Sequence, residues 1–315
     1  MTYLILGGYG FLGQNLCRTL TRAGHKVIVY GRKSDRAVKV AEWLQQDGIP
    51  CEFLWGDFCE EKDWQVRLKD VDAVFHLIST TKPSNKDLSY EFESNVLPSV
   101  RLFEACAKEK IKVFYFSSGG TVYGVPRYLP IDELHKTDPI STYGISKLSI
   151  EKALAYCGWS SGLDYLILRI SNPYGLGQDP TRDQGLIGVA LARALRGKDI
   201  EIWGTGNVIR DYIYVDDLMR AVMSLLEYDG TYHLFNIGYA VGFSVNEVIS
   251  HIHNYVKPRV DISYKEGRIQ DVPVNILSHE LISEETGWQP LVALDEGIKR
   301  MIAAWQPEQG RFAWI

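Results

Sequence analysis

Tyr3-Leu4-Ile5-Leu6-Gly7-Gly8-Tyr9-Gly10-Phe11-Leu12-Gly13 is a short apolar run followed at once by a glycine-rich loop. From Gln14 to Ala23, apolar Leu16, Cys17 and Leu20 recur at helical spacing. Lys26-Val27-Ile28-Val29-Tyr30 then reads as a second strand. Strand, glycine loop, helix, strand is the context of a dinucleotide-binding turn. Glycines there permit a tight turn, close approach of backbone to a pyrophosphate, and close packing of helix on strand. The helix N-terminus offers N–H groups and a positive dipole end to the phosphates.

The end of the second strand separates NAD readers from NADP readers. An NAD site places an acidic residue there to bind the adenosine ribose. Here the chain runs Tyr30-Gly31-Arg32-Lys33-Ser34, with Arg36 beyond, and no carboxylate stands at that place. Arg32 and Lys33 suit a 2′-phosphate, Arg through its planar fork of donors. The alternative is that both are solvated loop cations beside NAD. The cofactor is therefore NADP or NAD, with NADP favoured.

Working outward, the 315 residues suffice for two lobes and a sizeable core. Charged residues make up 23% with a net charge of −5, so no basic surface suggests nucleic acid. No apolar run is long enough to span a bilayer. The immediate entry into a strand leaves no room for a signal peptide. Cys17, Cys51, Cys59, Cys106 and Cys157 are scattered and odd in number, which reads as free thiols in a reducing cytoplasm. His251 and His253 are two apart on an expected helix and point different ways, so no metal is assigned.

Strand-like runs recur at Tyr3–Leu6, Val27–Tyr30, Glu52–Leu54, Ala73–Leu77, Val113–Ser117 and Tyr165–Ile170. Helical patterns lie between them, notably Ala37–Gln46, Val96–Lys108 and Thr142–Cys157. The strands are mostly continuous apolar runs, as in a parallel sheet covered on both faces. The expected class is α/β, a doubly wound Rossmann sheet with a smaller C-terminal substrate-binding lobe. Residues 1–172 form the dinucleotide-binding domain in this reading, with 212–238 returning to it as the sheet elements Tyr212–Val215 and Leu234–Ile237. Residues 173–211 and 239–315 form the smaller lobe, with helices near Leu186–Leu195, Val245–Tyr255 and Leu294–Trp305. A cleft between lobes is the natural ligand site.

Tyr143-Gly144-Ile145-Ser146-Lys147 puts a phenol and an ammonium one helical turn apart, on one face. A phenol ionises near ~10. A nearby ammonium favours the phenolate, so the pair suits a proton acceptor near neutral pH. The spacing is common by chance, and its weight comes from the glycine loop at the other end of the domain.

The chain resembles the extended short-chain dehydrogenase/reductases of the nucleotide-sugar epimerase/dehydratase type, the UDP-glucose 4-epimerase-like group, over nearly its whole length. The markers, in order, are the glycine loop 7–13; Gly56-Asp57; Phe75-His76-Leu77; Asn95-Val96; Ser117-Ser118-Gly119-Gly120-Thr121-Val122-Tyr123-Gly124; Tyr143 to Lys147; Arg169 to Gly175; Arg210 to Asp217; and Arg268 to Asn275.

The resemblance implies roles. Tyr143 is the catalytic base and acid, and Lys147 lowers its pKa and holds the nicotinamide ribose. Gly7, Gly10, Phe11, Leu12, Gly13, Asp57, Phe58, Leu77 and Asn95 belong to the cofactor side, Asp57 facing the adenine. Asn172 contacts the substrate pyrophosphate, Arg210 and Arg268 clamp it, Asp271 meets the ribose, and Trp203 lies against a pyrimidine base. Thr81, with Thr80 and Lys82, shapes the sugar pocket.

One position departs from the family pattern. A Ser or Thr hydroxyl usually stands five places before the glycine of Val-Tyr-Gly, and here that place is Gly119. Ser118 or Thr121 is the replacement expected, and Tyr123 is a further hydroxyl near the substrate. Loss of one such hydrogen bond could cost about a hundredfold in rate.

The implied reaction is 4-epimerisation of a UDP-sugar: Tyr143 takes the 4-hydroxyl proton, C4 is oxidised by bound NAD(P), and the keto sugar turns over before reduction. A dehydratase brings an acidic pair before Val-Tyr-Gly, where Gly120-Thr121 stand instead. Two rivals remain: an NADPH-dependent reductase of a 4-keto nucleotide sugar, and a non-catalytic binding protein, supported only by Gly119. The resemblance also implies a homodimer through the Tyr143/Lys147 helix.

Overall fold

The computed structural model describes residues 1–82, 84–179, 185–266 and 272–305. Arg268 and Asp271, expected at the substrate site, lie outside the described residues.

The chain folds as two compact units. The first comprises Met1–Gly124, Thr137–Arg169 and Thr231–Phe235. Its strands are β1 (Thr2–Leu6), β2 (Lys26–Gly31), β3 (Cys51–Trp55), β4 (Ala73–His76), β5 (Lys112–Ser118) and β6 (Tyr165–Ile170). Its helices are α1 (Phe11–Arg22), α2 (Asp35–Gln46), α3 (Trp64–Arg67), α4 (Leu88–Glu91), α5 (Leu97–Glu109) and α6 (Thr142–Ser161), with a π-helical turn, Phe92–Val96, joining α4 to α5. The central sheet has seven strands in the order Leu234–Ile237, β6, β5, β4, β1, β2, β3. β1 pairs in parallel with both β2 and β4, so the chain reverses direction of travel across the sheet at β1. This is the doubly wound sheet expected from the apolar runs.

Burial explains the strands. β4 and β6 are buried at every residue, as a strand covered by helices on both faces must be. The core joins Leu4, Leu6, Tyr30, Val74, Val113 and Tyr115 of the sheet to Leu102, Phe103, Ile150 and Leu154 of α5 and α6. α6 starts where Ser141 accepts a hydrogen bond from Gly144 N, and it stops at Gly162, which turns left-handed.

The second unit comprises Val125–Lys136, Ile170–Gly230 and Asn236–Ile315. Its largest sheet orders Gly242–Ser244, Ile209–Tyr214 and Val274–Asn275, with Asn172–Tyr174 paired on Ile209–Tyr214. Ile200–Trp203 pairs in parallel with Ile262–Lys265. Leu234–Ile237 joins the central sheet, but Tyr212–Val215, read as returning there too, does not. Its residues 212–214 belong to the smaller sheet, and Val215 opens a helix, Val215–Ser224. Ile209–Tyr214 pairs with Asn172–Tyr174 and Gly242–Ser244 instead, and the edge beyond β6 is taken by Leu234–Ile237.

Candidate active site

The glycine loop connects β1 to α1, which Gly10 caps. A Cβ on Gly13 would collide with the Gly7 carbonyl oxygen and the Gly8 backbone, so only glycine lets α1 pack this closely on the turn. No side chain caps α1, and its first turn carries no acidic residue. Phe11 and Leu12, partly buried, form that turn. A helix end left uncapped beside a tight glycine turn fits a pyrophosphate. The residues present therefore fit a dinucleotide.

The other expected cofactor residues lie along the same edge. Leu77 N donates to Leu6 O at 3.1 Å, which ties the end of β4 to the end of β1. Ile78 packs against Gly7. Asp57 Oδ1 accepts from Cys59 N at 3.0 Å, and its side chain stays partly exposed. Arg32 and Lys33 are exposed just past β2. The Phe58 ring is buried between Trp64 and His76.

Tyr143 and Lys147 stand on one face of α6, with Lys147 Nζ 5.7 Å from the centre of the Tyr143 ring. Lys147 Nζ donates to the Phe116 carbonyl oxygen of β5 at 2.9 Å. Burial pushes the Lys147 ammonium down to about 8, against the charges of Glu151 and Glu91. Burial also pushes the Tyr143 phenol up to about 12, opposed by a hydrogen bond from Ser79 and reinforced by the charge of Glu91. In the free protein, then, burial leaves the phenol above its ordinary value instead of lowered as expected.

Ser118 and Thr121, the replacements expected for the hydroxyl absent at Gly119, flank that glycine at and just after the end of β5. The turn that follows β5 closes through Thr121 N and Val122 N, both donating to the Ser118 carbonyl. Thr121 Oγ1 is buried without a hydrogen-bond partner. Tyr123, expected as a further hydroxyl near the substrate, faces the core in this structure. It is fully buried, with the Arg169 guanidinium 4.7 Å over its ring and bonded to its hydroxyl.

Glu91, Ser94 and Glu151, which the sequence did not single out, bond to residues around the expected site. Asn95 Oδ1 accepts from Thr80 N at 2.8 Å, and Asn95 Nδ2 donates to Glu91 Oε2 at 3.1 Å and to Thr81 Oγ1 at 3.4 Å. Thr80 Oγ1 lies 2.7 Å from Ser94 Oγ. The π-helical turn thus presents two adjacent residues, Ser94 and Asn95, to one loop; π turns often mark functional positions. Glu91 also accepts from Ser146 Oγ at 2.9 Å and from Asn85 Nδ2 at 3.0 Å. Below Lys147, Arg169 and Glu151 form a buried ion pair at 2.6 Å, and Ser117 Oγ donates to Glu151. Buried carboxylates four residues from an expected site residue, Glu91 before Asn95 and Glu151 after Lys147, were the signal available.

In the second unit, Asn172 Nδ2 donates to the Asp211 carbonyl at 2.9 Å. Arg210 donates to the carbonyls of Ile209 at 2.9 Å and Val272 at 2.6 Å. Trp203 is 52% exposed at the end of its strand, open to a ligand and not a core aromatic.

Residues 3–238 match the NAD dependent epimerase/dehydratase family. The chain is a member of that family. Within the epimerase/dehydratase family, the fold superposes on a UDP-glucose 4-epimerase of Thermotoga maritima solved with UDP-glucose, with a TM-score of 0.88, 32% identity, and coverage of 98% of this chain and 100% of that one. A Thermus thermophilus UDP-glucose 4-epimerase solved with NAD gives 0.87 at 26% identity, covering 98% and 99% of the two chains. A dTDP-4-dehydro-6-deoxyglucose reductase of Escherichia coli is 30% identical over 95% of this chain and 96% of its own. Among the described residues, no helix is long and apolar enough to cross a membrane.

Proposed function

We propose that this epimerase/dehydratase family member is a nucleotide-sugar 4-epimerase acting on a UDP-sugar. The observation that carries the reading is Tyr143 and Lys147 on one face of α6, the lysine fixed by the Phe116 carbonyl. Tyr143 receives the 4-hydroxyl proton of the sugar and returns it. Lys147, held among carbonyl, phenol and carboxylates, orients the ribose of the cofactor and supplies positive charge beside the phenol as it ionises. The glycine loop and the α1 N-terminus hold the pyrophosphate of the cofactor, with Asp57, Leu77 and Asn95 along the same edge. When bound, the nicotinamide supplies reversible oxidation at C4. Asn172, Trp203, Arg210, Arg268 and Asp271 hold the nucleotide diphosphate.

Arg32, Lys33 and the missing carboxylate after β2 favour NADP, whereas the Thermus relative was solved with NAD. Mass spectrometry of nucleotide carried through purification names the cofactor directly. We place the enzyme in the cytoplasm and expect a homodimer through α6, whose Tyr156 and Trp159 are exposed.

Incubation with UDP-glucose, UDP-N-acetylglucosamine or UDP-glucuronate, without reductant, should yield a C4-inverted sugar. The E. coli reductase relative and the strand-end cations favour a second reading, an NADPH-dependent 4-keto reductase. No inversion without reductant, but turnover of a 4-keto sugar with NADPH, would establish that second reading instead.

A further inference from the structure

We infer that His76, the last residue of β4, is a positioning residue for the cofactor. Through the Ser99 hydroxyl on α5 it holds the Asn95 carbonyl, and with it the loop after β4 that packs on the glycine turn, a role that rests on the dinucleotide reading of that turn.

His76 Nε2 lies 2.8 Å from Ser99 Oγ, and both residues are fully buried. Ser99 Oγ donates to the Asn95 carbonyl oxygen at 2.6 Å. A hydroxyl has one proton. Ser99 directs it at Asn95, so the proton between His76 and Ser99 comes from the imidazole. His76 is therefore the Nε2–H tautomer, with Nδ1 bare. The opposite tautomer would turn the Ser99 proton toward Nε2 and release the Asn95 carbonyl. It would also bury an Nδ1–H at an atom that has no hydrogen-bond partner. One bond would survive where the first arrangement keeps two. Burial, helped by the Lys147 charge, pushes the imidazole down to about 3, so the ring is neutral.

The donor is fixed by the sheet. His76 sits in register with Leu6 of β1 and Tyr115 of β5. Its ring packs on Phe58, Tyr115 and Phe103, with centroids 5.0, 5.3 and 6.1 Å away. Ser99 carries that fixed point to the main chain of Asn95, in the π-helical turn. The Asn95 side chain then returns to the loop that leaves β4. Its Oδ1 accepts from Thr80 N at 2.8 Å, and its Nδ2 donates to Thr81 Oγ1 at 3.4 Å. The loop is thus tied to one residue at both ends, at His76 and at residues 80–81. Between the ties, Leu77 N donates to Leu6 O and Ile78 packs on Gly7, beside the pyrophosphate turn. Buried polar chains of this kind specify geometry as well as stability.

The test uses the full chain labelled with 15N-histidine, the His76 signals being assigned by their loss in His76→Phe. An unprotonated imidazole nitrogen resonates far from a protonated one, so the spectrum reads the tautomer. Wild type should show His76 as Nε2–H, and Ser99→Ala should shift that signal. Titrations with NADH and with NADPH, followed by nicotinamide fluorescence, should give affinities about tenfold weaker in Ser99→Ala and in His76→Phe. His76→Gln, whose amide N–H can reach Ser99, should recover most of the loss. UDP affinity, read by calorimetry, should stay unchanged in all three variants, because Asn172, Trp203 and Arg210 lie in the second unit. An Nδ1–H tautomer in wild type overturns the role of His76. So does dinucleotide affinity unmoved in Ser99→Ala and His76→Phe, or UDP affinity falling equally. Wild type that binds neither dinucleotide overturns the dinucleotide reading and the positioning role with it, and the 15N spectrum still decides the His76–Ser99 bond.

Discussion

Ser146, between Tyr143 and Lys147 on α6, donates its hydroxyl to Glu91 Oε2 at 2.9 Å. Glu91 is fully buried and also accepts from Asn95 and Asn85. Glu91→Ala removes the carboxylate that three donors share. Each buried group left unsatisfied costs about 1–3 kcal/mol, so a loss of about 2–4 kcal/mol is expected once partial rehydration is allowed. Ser146→Ala removes one bond and should cost about 1 kcal/mol. Urea unfolding measures both, and equal losses would show that Glu91 is not the hub.

The Glu151–Arg169 pair should behave as a buried ion pair does when one partner is cut away. Glu151→Ala leaves the Arg169 guanidinium and the Ser117 hydroxyl without their carboxylate. The expected cost is about 3–5 kcal/mol. A loss below about 1 kcal/mol in denaturant unfolding would mean that water replaces the carboxylate.

Lys147 gives stability a defined pH dependence. Its native pKa is near 8 and its ordinary value is 10.5. Between those values the unfolded chain holds one more proton than the native one, so this residue makes stability rise with pH across the window. The limiting slope is about 1.4 kcal/mol per pH unit. The stability difference between wild type and Lys147→Met should therefore grow from pH 8 to pH 10. Tyr143, pushed up to about 12, acts in the opposite sense only above pH 10, where an unfolded phenol ionises first. A difference that is flat from pH 8 to pH 10 would contradict the depressed lysine.

Gly144 meets the turn after β5 closely. A Cβ there would stand 2.7 Å from the Thr121 carbonyl oxygen and 3.0 Å from Pro139 Cβ. Alanine gains up to ~1 kcal/mol of helix propensity. The clash with backbone costs about 1–3 kcal/mol, so the net effect of Gly144→Ala should be a loss. Thermal unfolding reads that loss, and turnover should fall further than stability because Tyr143 is displaced.

Much of the first unit was legible because its signals are local. A buried parallel strand must be apolar throughout, and a pyrophosphate turn must be glycine-rich, so β1, α1 and β2 read directly from residues 3–31. The Tyr143–Lys147 pair was legible for the same reason: one helical turn is a local distance. Tyr123 was not, because whether a phenol faces a ligand or the core depends on what packs over it, and here that is Arg169, 46 positions along the chain. The placement of Ile209–Tyr214 was not legible either, because a short strand takes whichever edge is free.

Sequence by itself determined the doubly wound sheet, the dinucleotide turn, the catalytic-type pair and the absence of a hydroxyl at Gly119. Tertiary structure alone decided which distant residues gather beside the pair. Glu91 and Ser146 are 55 positions apart. No periodicity relates such residues; they meet because α4 and α6 pack against one another. Burial is likewise a property of the assembled core, and it is burial that pushes the Tyr143 phenol up and the Lys147 ammonium down.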